Sequence, residues 1–244
     1  MVKKFLVPCS LVLLATAVLA FGGPAPQQNS GGQGKPAAVS TGGSLLIDDF
    51  ESGSLQTPRQ WWTFDLQKVA AENNDSLTAG DPAVVVKKGK YSMLLKGVCK
   101  NWYAGGVGVY FAKENQDLSV YNALQIDVYG NGEGSGTLKI ELFDDDNANW
   151  QVEQNPAKNY APVNDDKFVY SQVVDWKGWQ RVVIPFSDFV DDNPGVGDDV
   201  WNPQQTNGSG GLLQMQLICL GSTDKTAINL YLDNIDLVNS NSGR

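Results

Sequence analysis

Two short apolar segments carrying carboxylates bracket the ordered part of the sequence, Ser44-Leu45-Leu46-Ile47-Asp48-Asp49-Phe50-Glu51-Ser52-Gly53 and Ile228-Asn229-Leu230-Tyr231-Leu232-Asp233-Asn234-Ile235-Asp236-Leu237-Val238. Laid side by side as strands, they would bring carboxylate oxygens from distant parts of the chain together. A hard cation such as Ca2+ takes roughly six to eight oxygens in flexible geometry. Asp49, Glu51 and Asp233 are the candidate side-chain ligands of a structural Ca2+, with carbonyls of the turn Lys88-Gly89-Lys90-Tyr91 completing the shell. The competing reading is a set of edge charges that discourages one sheet from pairing with another. A second acidic run, Asp144-Asp145-Asp146-Asn147-Ala148-Asn149-Trp150, starts like a calcium-binding loop but lacks its glycine and its closing glutamate. It reads as a turn whose Asp and Asn side chains accept backbone hydrogen bonds, with Trp150 at a ligand-facing edge.

Aromatic side chains suggest a different chemistry. Trp61-Trp62 follows a loop, Trp102-Tyr103 precedes Ala104-Gly105-Gly106, and Trp201 sits in the Asp/Gly/Pro/Asn-rich stretch 191–211. Flat rings on loops stack on the apolar faces of sugars while neighbouring Asp and Asn take the hydroxyls. Core packing is the alternative, since tryptophan is highly buried on average. Trp176 and Trp179 are assigned to packing, because Trp179 starts a strand beside a glycine turn.

Catalytic readings fare worse. The sequence contains no histidine, so Ser-His-Asp and Cys-His arrangements and histidine general bases are absent. With no histidine and no CxxC pair, zinc-thiolate chemistry has no ligand set either. Two carboxylates could still hydrolyse a glycoside, but nothing singles out a pair facing across a cleft. A non-catalytic protein is the expectation.

The elements that must position these groups are strands. Past residue 43 nearly every apolar run is short, rich in Val, Ile, Tyr, Phe or Trp, and bounded by Gly, Asn, Asp or Pro. Strands are expected over Ala83–Lys87, Tyr91–Lys96, Val107–Phe111, Ala123–Tyr129, Leu138–Phe143, Phe168–Gln172, Trp179–Ile184, Leu212–Leu220 and Ile228–Val238. Alternation in Trp179-Gln180-Arg181-Val182-Val183-Ile184 fades into Pro185, which blocks further pairing. No stretch keeps helical periodicity over three turns. The fold class is all-β, an antiparallel β-sandwich of jelly-roll type.

Lys3 and Lys4 followed by the apolar run Phe5–Ala20 have the pattern of an export signal, residues 1–20. Most of that run lies after Cys9 instead of before it, which argues against lipid attachment. No other segment is long and apolar enough to span a bilayer. Residues 21–43 are Gly, Pro, Gln, Ser and Ala with few large apolar side chains, a flexible tether. Residues 44–239 form one domain and 240–244 a tail. An exported protein, extracellular, on the cell surface or periplasmic, is expected. With 18 Lys and Arg against 27 Asp and Glu, the net charge of −9 disfavours nucleic acid and anionic membranes. Cys99 and Cys219 fall on interior strands, as two buried thiols or as one disulfide.

Taken in order, several motifs resemble family 11 carbohydrate-binding modules. They are Leu46-Ile47-Asp48-Asp49-Phe50-Glu51, Trp102 to Gly106, Phe168-Val169-Tyr170-Ser171, Trp179 with Ile184-Pro185-Phe186-Ser187-Asp188-Phe189, and Leu232-Asp233-Asn234-Ile235. The resemblance spans Leu45 to Val238. It implies a galactose-binding-like jelly roll that contains calcium and binds β-1,3-1,4-linked and β-1,4-linked glucans on a concave face, without catalysis. The family's stacking tyrosines would fall near Trp62, near Trp102 or Tyr103, and in the loop after Phe189, which here holds Asp191, Asp192 and Trp201. A further family tyrosine position is Cys219, and the family's loop arginine has no counterpart. Trp62, Trp102, Tyr103, Trp150, Tyr170, Asp191, Asp192 and Trp201 are therefore the candidate ligand-binding residues for a polysaccharide of the β-glucan class. A weaker similarity runs to complex I intermediate-associated protein domains, which act in assembly. Sandwiches of this shape also coat bacterial filaments, so a structural surface or sheath subunit with a protein partner is the alternative expectation.

Overall fold

The computed structural model describes residues 43–77, 85–112, 116–158, 160–205 and 209–240. The export signal, nearly all of the tether and residues 241–244 lie outside this set. Among the described residues there are fourteen strands: β1 Leu45–Asp48, β2 Trp61–Phe64, β3 Lys68–Glu72, β4 Ser92–Val98, β5 Tyr103–Tyr110, β6 Ala123–Asn131 and β7 Gly136–Asp145. They continue as β8 Gln154–Asn155, β9 Ala161–Pro162, β10 Asp166–Val174, β11 Lys177–Pro185, β12 Val190–Asp191, β13 Gly211–Leu220 and β14 Ala227–Val238. The helical turns among the described residues are three-residue 3-10 segments.

Two antiparallel sheets make the sandwich. The first runs β11-β6-β14-β4-β3, and the second β12-β10-β7-β13-β5-β2; β8 and β9 form a separate ribbon. β14 occupies the centre of the first sheet. One edge pairs with β6, while the other is shared between β4, opposite Ala227 to Leu232, and β1, opposite Ile235 to Leu237. The bracketing segments are thus neighbours, as the sequence predicts.

Alternation decides which side chains enter the core. In β7, Leu138, Ile140 and Leu142 are buried against residues of the first sheet such as Ile126, Val128, Leu230 and Leu232. Trp61 packs its ring on Phe50 and donates its indole N–H to Asp48 Oδ2 at 2.9 Å, while Asp48 Oδ1 accepts the Phe50 amide at 2.8 Å. A buried carboxylate is thereby satisfied where the chain turns out of β1.

Two sequence expectations change. Val85, Val86 and Lys87 are not a strand; Val85 and Val86 pack on Leu94 and Tyr231 outside the first sheet, and residues 83 and 84 lie outside the described set. Trp61 and Trp62, after their loop, begin a strand, β2, absent from the expected set, so the pair points to opposite faces. Cys99 and Cys219 are buried free thiols.

Candidate ligand-binding face and carboxylate sites

The outer face of the second sheet is shaped by β5. Val107 and Val109 point into the core, leaving Gly106 and Gly108 on the other side. A Cβ on Gly108 would lie 2.2 Å from Trp62 Cζ2, and one on Gly106 2.7 Å from Phe64 Cζ. Glycine at both positions lets two rings from β2 lie down on the sheet. Trp62 also meets Tyr110, with ring centroids 5.4 Å apart.

Strand register extends this feature sideways. Trp62 stands opposite Gly108, Gly108 opposite Gln216, Gln216 opposite Glu141, and Glu141 opposite Val169. Five strands spaced about 4.8 Å apart make this row about 19 Å long. An aromatic platform stands at one end. At the other, Lys139 Nζ lies 2.8 Å from Glu141 Oε1 and 3.2 Å from Asp192 Oδ2, and Lys167 Nζ 2.9 Å from Asp192 Oδ2. Burial works to lower the Lys139 ammonium, but Glu141 and Asp192 outweigh it and hold it above the ordinary lysine value. Burial likewise opposes ionised Asp192, yet Lys167 and Lys139 keep it below the usual carboxylate range. Lys139 and Asp192 therefore stay charged at neutral pH, able to exchange hydrogen bonds with hydroxyl groups.

The other candidates divide between faces. Tyr103 donates its hydroxyl to Asp65 Oδ2 at 2.8 Å, and burial followed by Asp65 pushes that hydroxyl's pKa well up. Trp102 is 59% exposed on the turn before β5, edge-on to Tyr103. Trp150 rests on Phe143, Val152 and Leu213, an apolar cluster of the same outer face, and its amide donates to Asp145 Oδ2 at 2.6 Å. The turn after β7 forms as the sequence suggests, with Asp145, Asn147 and Asn149 accepting backbone amides. Asp191 caps a turn by accepting the Asn193 amide at 2.9 Å. Tyr170 and Trp201 are placed elsewhere: Tyr170 packs on Phe189, and Trp201 sits on Phe168 and Phe186, both against the core. Their rings plug the sandwich instead of facing a ligand. Glu141, Gln216, Lys139, Lys167 and Phe64 escape sequence reasoning. The signals were present in the alternate glycines of β5 and the alternate charges of Lys139-Ile140-Glu141.

The bracketing carboxylates hold a loop. Glu51 accepts the Lys90 amide at 2.8 Å and the Tyr91 amide at 3.0 Å, and Asp233 Oδ2 accepts the amides of Lys87 and Lys88 at 3.2 and 3.1 Å. Asp49 lines a surface pocket with Lys88, Arg181 and Asp236. Loop 87–91 presents N–H donors where a cation needs lone pairs, so in this arrangement the trio does not form an oxygen cage. Among the described residues, the carboxylates that do converge are Asp144, Asp146 and Asp166, with one oxygen of each within 4.8 Å of the others.

No family model and no curated protein matches this chain. Among solved structures it is similar to the family 11 carbohydrate-binding module from Clostridium thermocellum in complex with a β-1,3-1,4-mixed-linked tetrasaccharide. The identity is 18%, the TM-score 0.49, and the overlap covers 82% of this chain and 98% of that one. A family 30 module of a C. thermocellum cellulosomal cellulase has 14% identity, a TM-score of 0.45, and coverage of 81% and 98%. A family 22 xylan-binding domain from Paenibacillus barcinonensis has 18%, 0.42, and coverage of 83% and 99%. Likeness at this level carries no argument about ligand.

Proposed function

We propose that this is an exported, non-catalytic protein that binds an extended neutral polysaccharide of the β-glucan class across the outer face of the second sheet. The observation that carries the reading is Trp62 laid over Gly108 at the head of a transverse row that ends in the Glu141, Lys139, Lys167 and Asp192 network. An aromatic plane beside placed polar groups recognises the apolar face and hydroxyl rim of a sugar together. The motifs that resemble family 11 modules support the choice of glucan. Calcium as a stabiliser is a second part of the proposal; at Asp49, Glu51 and Asp233 it would require loop 87–91 to exchange amides for carbonyls.

Affinity electrophoresis in gels containing lichenan, xyloglucan or hydroxyethylcellulose tests the sugar reading. Retardation in at least one, lost in Trp62→Ala with an unchanged melting curve, is expected. A folded parent protein unretarded in all three would end it.

A further inference from the structure

The buried carboxylates at one end of the sandwich have a geometry that the sugar reading does not use. Asp144 on β7 and Asp166 on β10 are direct cross-strand partners, and both are 0% exposed. Like charges directly opposite one another destabilise a sheet. Asp146 joins them from the turn after β7. In each of the three, one oxygen is fixed by a backbone amide: Asn202 N–H donates to Asp144 Oδ2 at 3.0 Å, Val200 N–H to Asp166 Oδ2 at 3.1 Å, and Asp166 N–H to Asp146 Oδ2 at 3.1 Å. The other oxygen, Oδ1 in every case, is buried and has no hydrogen-bond partner. No ion pair among the described residues reaches any of them. The chain crosses directly above at Gly197, where a Cβ would lie 2.2 Å from Asp166 Oδ1 and 2.3 Å from Asp146 Oδ2.

We propose that Asp144, Asp146 and Asp166 hold a calcium ion that pins the 195–202 loop to the end of the second sheet. Fully buried carboxylate oxygens left without donors carry a large desolvation cost, and a hard cation supplies what the missing donors do not. Oxygens within 4.8 Å of one another can share a centre at roughly 2.3–2.6 Å, the calcium–oxygen distance. Amides already orient the second oxygen of each group, so the set is arranged before the ion arrives. The loop that closes the site also carries Trp201, whose ring packs on Phe168 and Phe186, so the ion and the plug belong to one unit. The inference stands apart from sugar binding and from the bracketing strands.

The test is a calcium titration of chelator-treated full-length protein, followed by melting temperature and tryptophan fluorescence. The parent melting temperature should rise by about 5 to 10 °C at calcium a hundredfold above its dissociation constant. Asp166→Asn should weaken calcium at least tenfold, and should melt higher than the parent when metal-free, because its amide fills the donorless slot. Asp146→Asn, at a half-buried position, repeats the loss of affinity should Asp166→Asn fail to fold. Glu51→Gln should keep the full calcium response. A parent that does not respond, or a response kept by both aspartate variants, overturns the site. A response lost only in Glu51→Gln also overturns it and assigns the ion to the bracketing strands. Retardation of the parent in glucan gels is measured separately, so failure of one reading leaves the other standing.

Discussion

Single side chains in this protein act through what lies beneath them. Trp62 is a platform because Gly108 has no side chain, so Gly108→Val should lift the indole off the sheet. The expected results are stronger iodide quenching of tryptophan fluorescence and glucan affinity down about tenfold, or about 1.4 kcal/mol. Its neighbour Trp61 has the opposite role. It is 2% exposed and its indole N–H serves the buried Asp48 carboxylate, which burial holds above the ordinary aspartate pKa. Trp61→Phe keeps most of the apolar contact and removes that donor. It should cost about 1–3 kcal/mol, read as a lower urea midpoint with an unchanged slope. On the proposed function, two adjacent tryptophans divide binding from stability, and no property of either residue alone distinguishes them. Their alternation across β2 does.

At the scale of elements, the long strands were legible because β-branched and aromatic runs end at Gly, Asn, Asp or Pro. β4, β6, β7, β10, β11, β13 and β14 fall where those runs do. β2 was not, since Trp61-Trp62-Thr63-Phe64 is too short to display a period of two, and β12 owes its existence to pairing with β10. The run ending at Val85-Val86-Lys87 has strand composition, but its valines cover Leu94 and Tyr231 as a lid. Register is the larger gap: that Asp144 faces Asp166, or that Glu141 faces Gln216, depends on hydrogen-bonded pairing that local composition does not encode. The neighbouring first and last strands were anticipated because both carry an apolar face. β1 contributes Ile47, 1% exposed, to the core beside β14. Ile47→Ala should cost about 2–5 kcal/mol in chemical denaturation, a large effect for a four-residue strand.

For the whole molecule, buried acids set the response to pH. Burial is the main cause in each case: Asp144 and Asp165 rise to about 8, Asp166 and Asp233 to about 7, and Asp146 to about 6. The folded state keeps these protons after the unfolded chain, with aspartates near 3.8, has released them. Their contribution to stability is complete below about pH 4 and is lost as pH rises through about 6 to 8. Asp192, held low by its lysines, contributes in the opposite direction below its ordinary range. In metal-free buffer the urea midpoint should therefore fall between pH 5 and pH 8; a flat or rising profile would contradict the burial of these groups. β14, finally, hydrogen-bonds to β6, β4 and β1, and it comes last among the strands. During vectorial synthesis the three earlier strands wait with unsatisfied edges, and the first sheet locks only when β14 arrives. Until then the sides of β1, β4 and β6 that face β14 have no partner. Over that interval those bare edges are open templates for pairing with any other strand.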